Sequence, residues 1–72
     1  MKKKLVKTNR ATVVKWNFHA KILTFERDFL EPPTVKDLEW LLEECNKENP
    51  LLLNYKTTLH VEELYRVENV AT

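Results

Sequence analysis

Glycine, serine and glutamine are all missing from this 72-residue chain. The first absence excludes the phosphate-cradling loops of nucleotide-binding proteins, because the P-loop and the dinucleotide fingerprint both need backbone that approaches phosphate closely. The second excludes a serine nucleophile. With no glycine for positive-φ turn positions, those positions are expected to fall to the six asparagines, at 9, 17, 46, 49, 54 and 69, because asparagine tolerates that region best after glycine.

Cysteine is almost absent as well. Cys45 stands alone, so no disulfide can staple the fold, and a lone thiol among apolar helix residues suits a reducing, cytoplasmic setting. No apolar run approaches the length of a membrane span, so no membrane partner is expected. The basic start resembles the first part of a signal peptide, but Thr8, Asn9 and Arg10 stand where its apolar region would have to be. No Asn-x-Ser/Thr acceptor occurs, and nothing argues for export. A single small domain is expected over residues 1–72. A chain of this length buries only about 60% of its unfolded surface, so a dimer interface would be a natural supplement to its core.

The clearest element present is Thr34 to Lys47, TVKDLEWLLEECNK. At 100° per residue, Val35, Leu38, Leu41, Leu42 and Cys45 fall on one stripe, the core-facing side of an amphipathic helix. Thr34 can cap the first turn, with Asp37 three residues on in the reciprocal position. Pro32 and Pro33 hold the approach extended, and Pro50 stops the helix after Asn46 or Asn49 takes a left-handed C-terminal position. Trp40 does not fit the stripe. It falls on the opposite face among Lys36, Glu43, Glu44 and Lys47, where it is covered by another part of the chain, or by Lys36, or else serves as a protein-binding anchor.

The remaining segments read as strands. Met1 to Thr8 is either a short edge strand through Leu5 and Val6 or a frayed basic tail, and the strand is favoured. From Ala11 to Phe18 the pattern has period two, and the even residues Val14, Trp16 and Phe18 are expected to face the core. From Lys21 to Phe29 the odd residues Leu23, Phe25 and Phe29 form the apolar side, interrupted by Arg27, and Phe18 to Ala20 is short enough to close a hairpin. Leu51 to Leu59 best fits a further strand, although Asn54 leaves room for a turn instead. For His60 to Val70, Val61, Leu64, Tyr65 and Glu68 follow helical spacing while Tyr65, Val67 and Asn69 would suit a strand, and a short C-terminal helix is favoured. The expected architecture is therefore α+β: a hairpin, with an edge strand beside it, packed on one helix and followed by a strand and a short helix. Hairpin, helix and strand in this order, with the PPTVKDLEWLLEE helix start, resemble the opening of ubiquitin-like β-grasp domains. The resemblance is one of element order over about half the chain, it lacks the Gly-Gly tail used for conjugation, and it implies no function.

Enzymatic chemistry finds little to work with. Cys45 is the strongest candidate nucleophile, with His19 and His60 as bases, but a thiol within an apolar stripe is inert because a reactive thiolate needs a polar, partly exposed setting. These three residues are too few and too widely spaced for a zinc pattern. Glu43 with Glu44, and Glu62 with Glu63, would splay apart on a helix. Glu39 and Glu43 share a face as a solvated pair with Lys47 beyond. The expectation is a protein that is not an enzyme and takes no metal or cofactor.

Two binding readings follow. In the first, a small interaction module or inhibitor binds a protein partner, or itself as a homodimer, through the helix face of Trp40, Lys36, Glu43, Glu44 and Lys47. The second starts from charge. The net is only +1, yet residues 1–25 hold seven bases and no acid while residues 26–72 hold five bases and eleven acids. Lys2, Lys3, Lys4, Lys7, Arg10, Lys15 and Lys21 would then neutralise phosphates of a nucleic acid. The asymmetry has a structural explanation too, a basic hairpin lying beside acidic neighbours.

Overall fold

The structure is a computed structural model and describes residues 2–70. In chain order the elements are β1 (Lys2–Asn17), β2 (Ala20–Phe29), α1 (Val35–Glu48), a single 3-10 turn (Pro50–Leu52) and β3 (Lys56–Val70). The strands form one antiparallel sheet in the order β2-β1-β3, so the first strand in sequence is the middle one in space. β2 and β3 therefore run parallel to each other on either side of β1, and α1 carries the chain from one edge to the other in a split βαβ connection. This is an α+β arrangement, as the sequence implies. Among the described residues no helix is long and apolar enough to cross a membrane.

The strands are unequal, and this shapes the molecule. β2 pairs only with Asn9–Asn17, whereas β3 pairs with β1 from Lys2 to Trp16. Lys2–Thr8 and Leu64–Val70 thus project beyond β2 as a two-stranded arm, roughly 20 Å long at the rise of an extended chain. The molecule measures 50 × 26 × 18 Å.

Three sequence expectations need correction here. The N-terminal segment is no separate edge strand: residues 2–8 continue without a break into the strand expected at Ala11. The C-terminal helix does not form, because His60 to Val70 lies within β3. Helical spacing of Val61, Leu64 and Tyr65 would need an apolar surface to face, whereas the extended form satisfies the backbone of both β3 and the N-terminal segment. The strand expected from Leu51 starts only at Lys56. Pro50 fixes its own φ and opens the 3-10 turn instead, so Leu51 and Leu52 belong to that turn.

The fourth correction concerns which side of β1 is covered. α1 lies against β1 and β2, and the core cluster is Ala11, Val13, Phe25, Leu41 and Cys45, flanked by Leu23, Phe29, Leu38 and Leu42. On β1 these are odd residues. Val14 is buried but lies on the other face with Trp16, outside this cluster, and Phe18 lies in the turn, contrary to the expected even-sided core. Lys15 explains the reversal. It points to the helix side, is 1% exposed, and donates from Nζ to Thr57 Oγ1 at 2.8 Å. The Thr57 hydroxyl in turn donates to the Tyr55 carbonyl. Trp16 on the open face donates from Nε1 to Thr58 Oγ1 at 2.8 Å and carries Lys21 over its ring. Each residue has a partner that no local pattern announces.

On β2 the expected apolar side holds: Phe25 is buried, and Leu23 and Phe29 pack beside it. Arg27, the interruption, lays its guanidinium 4.4 Å from the Phe25 ring centre. Stacked there it screens the ring and keeps its charge in water.

The helix forms where the sequence places it. The Thr34 side chain accepts from the Asp37 backbone, and the Asp37 carboxylate accepts from the Thr34 backbone, closing the capping box. Leu41 and Cys45 are fully buried, while Val35, at the first turn, is 72% exposed and lies outside the core it was expected to join. At the far end Asn49 closes the helix with φ −132, not left-handed. Its backbone N–H and its side-chain Nδ2 both donate to the Cys45 carbonyl, which satisfies an end group without positive φ.

Among the described residues only Phe18 has positive φ, at 57°, so the asparagines do not take that duty. Phe18 and His19 form a two-residue hairpin loop in which only the first position is left-handed, the pattern of a II′-type turn that favours glycine there. Phe18 is 90% exposed and its ring contributes little burial to offset the strain. Replacing Phe18 with Gly should therefore stabilise the fold by about 1 kcal/mol, raising Tm by roughly 4–8 °C. Thermal unfolding followed by circular dichroism checks this, and an unchanged or lower Tm would show that the turn stores no strain.

Candidate functional site

One helix cannot cover three strands. α1 sits over β1 and β2, and on the same side of the sheet the odd residues of β3 lie beyond it. The pairings Val13 to Leu59, Ala11 to Val61, Lys7 to Tyr65 and Leu5 to Val67 put Leu59, Val61, Tyr65, Val67 and Leu5 on this helix side. All are substantially exposed, from 39% for Leu59 to 64% for Leu5. The row starts beside α1 and runs out along the arm. Its apolar continuity is broken at Glu63, whose carboxylate meets Lys7 Nζ at 3.0 Å on the same face.

The site read from the helix lies elsewhere. Trp40 is 46% exposed, with Lys36, Glu43 and Lys47 exposed around it and Glu44 half-buried. The cation–π contacts are made at Trp16 and Phe25, not at Trp40. The helix-face residues are thus assembled as one surface, although Trp40 is half-covered. Sequence reasoning missed the β3 row because a helix was expected there. The signal available was the alternation of Leu59, Val61 and Glu63 into Tyr65 and Val67, which has period two.

The basic third is divided. Lys15 is buried under the helix side. Arg10 is engaged by Asp28 through two bonds, Nε to Oδ1 at 2.8 Å and Nη2 to Oδ2 at 3.2 Å, with Glu26 at 3.9 Å. Lys7 pairs with Glu63, and Lys21 covers Trp16. Lys2, Lys3 and Lys4 remain exposed on the arm, with Lys4 opposite Glu68 in the register. Much of the charge asymmetry in the sequence therefore closes within the sheet, basic β1 lying between acids of β2 and β3.

The chemistry-bearing residues do not converge. Cys45 is buried against the helix-side face, and burial pushes its thiol above the ordinary value, away from the thiolate. His60 is paired with Thr12 in the register, on the opposite face of the sheet, 3.6 Å from Glu62; His19 is in the hairpin loop. Among the described residues no three His, Cys, Asp or Glu side chains gather as a metal site, and no pocket forms. Glu39 and Glu43 stay exposed on the helix, and Glu62 and Glu63, being neighbours on a strand, point to opposite faces. No protein-family model, curated protein or solved structure matches the chain.

Two measurements follow from this geometry. Leu41→Ala should cost about 2–5 kcal/mol because it opens a cavity in the core, whereas Trp40→Ala should cost about 1 kcal/mol or less, as expected of a surface side chain. Urea unfolding distinguishes them, and an unfolded Trp40→Ala variant would make the ring a core element. The second concerns acid. The hydrogen bond from Arg10 holds Asp28 below its ordinary 3.8, and the hydrogen bond from Lys7 holds Glu63 below its ordinary 4.5. The folded chain thus binds fewer protons than the unfolded one in acid, and the stability from both pairs is complete above these values and lost as pH falls through the lowered ones. Unfolding free energy measured from about pH 5 down to about pH 2 should decline, with a shallower slope in an Asp28→Asn, Glu63→Gln double variant. Equal slopes would mean that neither pair contributes.

Proposed function

We propose that this chain is a small non-enzymatic protein-interaction module that binds a protein surface through its helix-side face. The observation that carries the reading is the exposed apolar row Leu59, Val61, Tyr65, Val67 and Leu5 beside α1. Exposed apolar surface of this kind, here crossed by the ion pair of Lys7 with Glu63, marks interaction sites. Tyr65 supplies an aromatic anchor with a polar end, its hydroxyl 3.4 Å from Glu63 Oε2. The helix face of Trp40, with Lys36, Glu43, Glu44 and Lys47, is a second contact surface for the same role. Separation of Cys45 from both histidines supports the non-enzymatic part.

The nucleic-acid alternative is weaker because Lys7, Arg10 and Lys15 are already engaged within the sheet, and Trp16 has Lys21 over its ring. A photo-reactive benzoylphenylalanine introduced at Tyr65, at Trp40 or at Thr24 on the opposite face separates the readings. Irradiation in cells should give protein adducts from the Tyr65 position and none from Thr24. Adducts from Trp40 would add the helix face to the interface. Adducts to nucleic acid alone, or equal yields from all three positions, would overturn the proposal.

A further inference from the structure

The partner surface that best complements β3 is β3 itself. β3 is an edge strand of 15 residues with its outer backbone edge unpaired. It carries no proline and pairs with β1 without a bulge, and after Lys56 it carries no lysine; these are the usual devices that keep an edge from pairing with another chain. Two copies joined antiparallel along this edge are related by a two-fold axis perpendicular to the sheet. Such an axis keeps both helices on one face, so odd residues oppose odd and even oppose even, and the register can slide only in steps of two.

Among these registers the charges select one. With Leu64 opposite Leu64 of a second copy, Glu62 faces Arg66 and His60 faces Glu68, each pair occurring twice, while Val61 faces Val67 on the helix side. A slide of two one way puts Glu62 opposite Glu68; two the other way puts His60 opposite Arg66 and Glu63 opposite Glu63. Opposite charges across a pair of strands stabilise and like charges destabilise. In the selected register Arg66 and Glu68, now 2.8 Å apart within one strand, and His60 and Glu62, 3.6 Å apart, each gain a partner across the interface.

We infer that the chain forms a two-fold dimer through β3, centred on Leu64, in a continuous six-stranded antiparallel sheet. The inference goes beyond the interaction reading above: it places a second copy on the outer edge of β3, and the helix-side row stays open alongside the joined strands. It also gives the arm a support: Val67 of one copy comes to lie beside Val61 of the other, next to the end of the sheet that the helix covers. A two-stranded ribbon is marginal alone, and pairing makes the arm part of a wider sheet.

Charge reversal tests both the edge and the register. In a Glu62→Arg variant both positions of each pair are basic, and in an Arg66→Glu variant both are acidic, so each homodimer should dissociate at a concentration at least about tenfold higher than the parent. An equimolar mixture of the two variants restores both oppositely charged pairs and should associate about as tightly as the parent. Sedimentation equilibrium measures this, with circular dichroism showing that each variant is folded. A Leu64→Cys variant should in addition form an intermolecular disulfide on mild oxidation, because directly opposed residues have Cα atoms about 4.5–5.5 Å apart, whereas Thr58→Cys should not. A parent chain that stays monomeric at hundreds of micromolar, single variants that associate as well as the parent, or a mixture no tighter than its components would each overturn the dimer. Protein adducts from Tyr65 that contain only other proteins would leave the interaction module standing while the dimer fell.

Discussion

The width of one helix governs this molecule. An α-helix with its side chains is about 10–12 Å across, and strands lie about 4.8 Å apart, so a single helix can seal about two of them. The described residues form three strands and one α-helix. α1 closes over β1 and β2, and the third strand is left with its helix-side residues open. From that limit follow the small core of Ala11, Val13, Phe25, Leu41 and Cys45, the exposed row on β3, and the uncovered arm.

The parts of this arrangement legible in the sequence are those decided within a few residues. The capping box of Thr34 and Asp37, the stop before Pro50 and the odd-sided face of β2 all depend on local chemistry, and all are found. The face of β1 is decided at a distance. Val13 and Val14 are both apolar, so the choice between them falls on Lys15 and Trp16, and propensity sends lysine out and tryptophan in. Thr57 and Thr58, more than forty positions away, reverse this by accepting from the Lys15 ammonium and the Trp16 indole. Long-range partners decided against the local rule, as they can wherever a buried polar group is satisfied.

The C-terminal segment is ambiguous in the sequence for a related reason. A strand with one buried face shows alternation because burial selects for it; β3 is exposed along nearly its whole length, with only Leu64 half-buried. Its residues are thus not disciplined by a core, and the spacing of Val61, Leu64 and Tyr65 imitates a helix. What holds it as a strand is its register with β1, Lys2–Lys4 pairing with Glu68–Val70, together with the diagonal ion pair of Lys7 with Glu63. The charge asymmetry of the sequence is the trace of that register. Bases gathered in the middle strand meet acids brought from both sides. The Trp40 face was legible as a place, because helical periodicity locates it, whereas the β3 row depended on a strand that local spacing disguised.

The same geometry links binding to order. Core strands and helices open only with global unfolding, while peripheral ribbons open at lower cost. The arm has no helix above it and only one neighbouring strand for each of its own, so it belongs to the peripheral class. Any protein that pairs with β3 or covers Tyr65 and Val67 supplies apolar contact to the segment that has least, and its affinity includes the free energy of holding that segment in place. Residues far from such a contact then influence it through the arm alone. Lys7 and Glu63 are placed at the root of the arm, one on each strand, and their ion pair bridges the two strands next to where the support of β2 ends, at Asn9. For the proposed partner contact, strength there would be felt along the whole projecting length, although neither residue has to touch the partner.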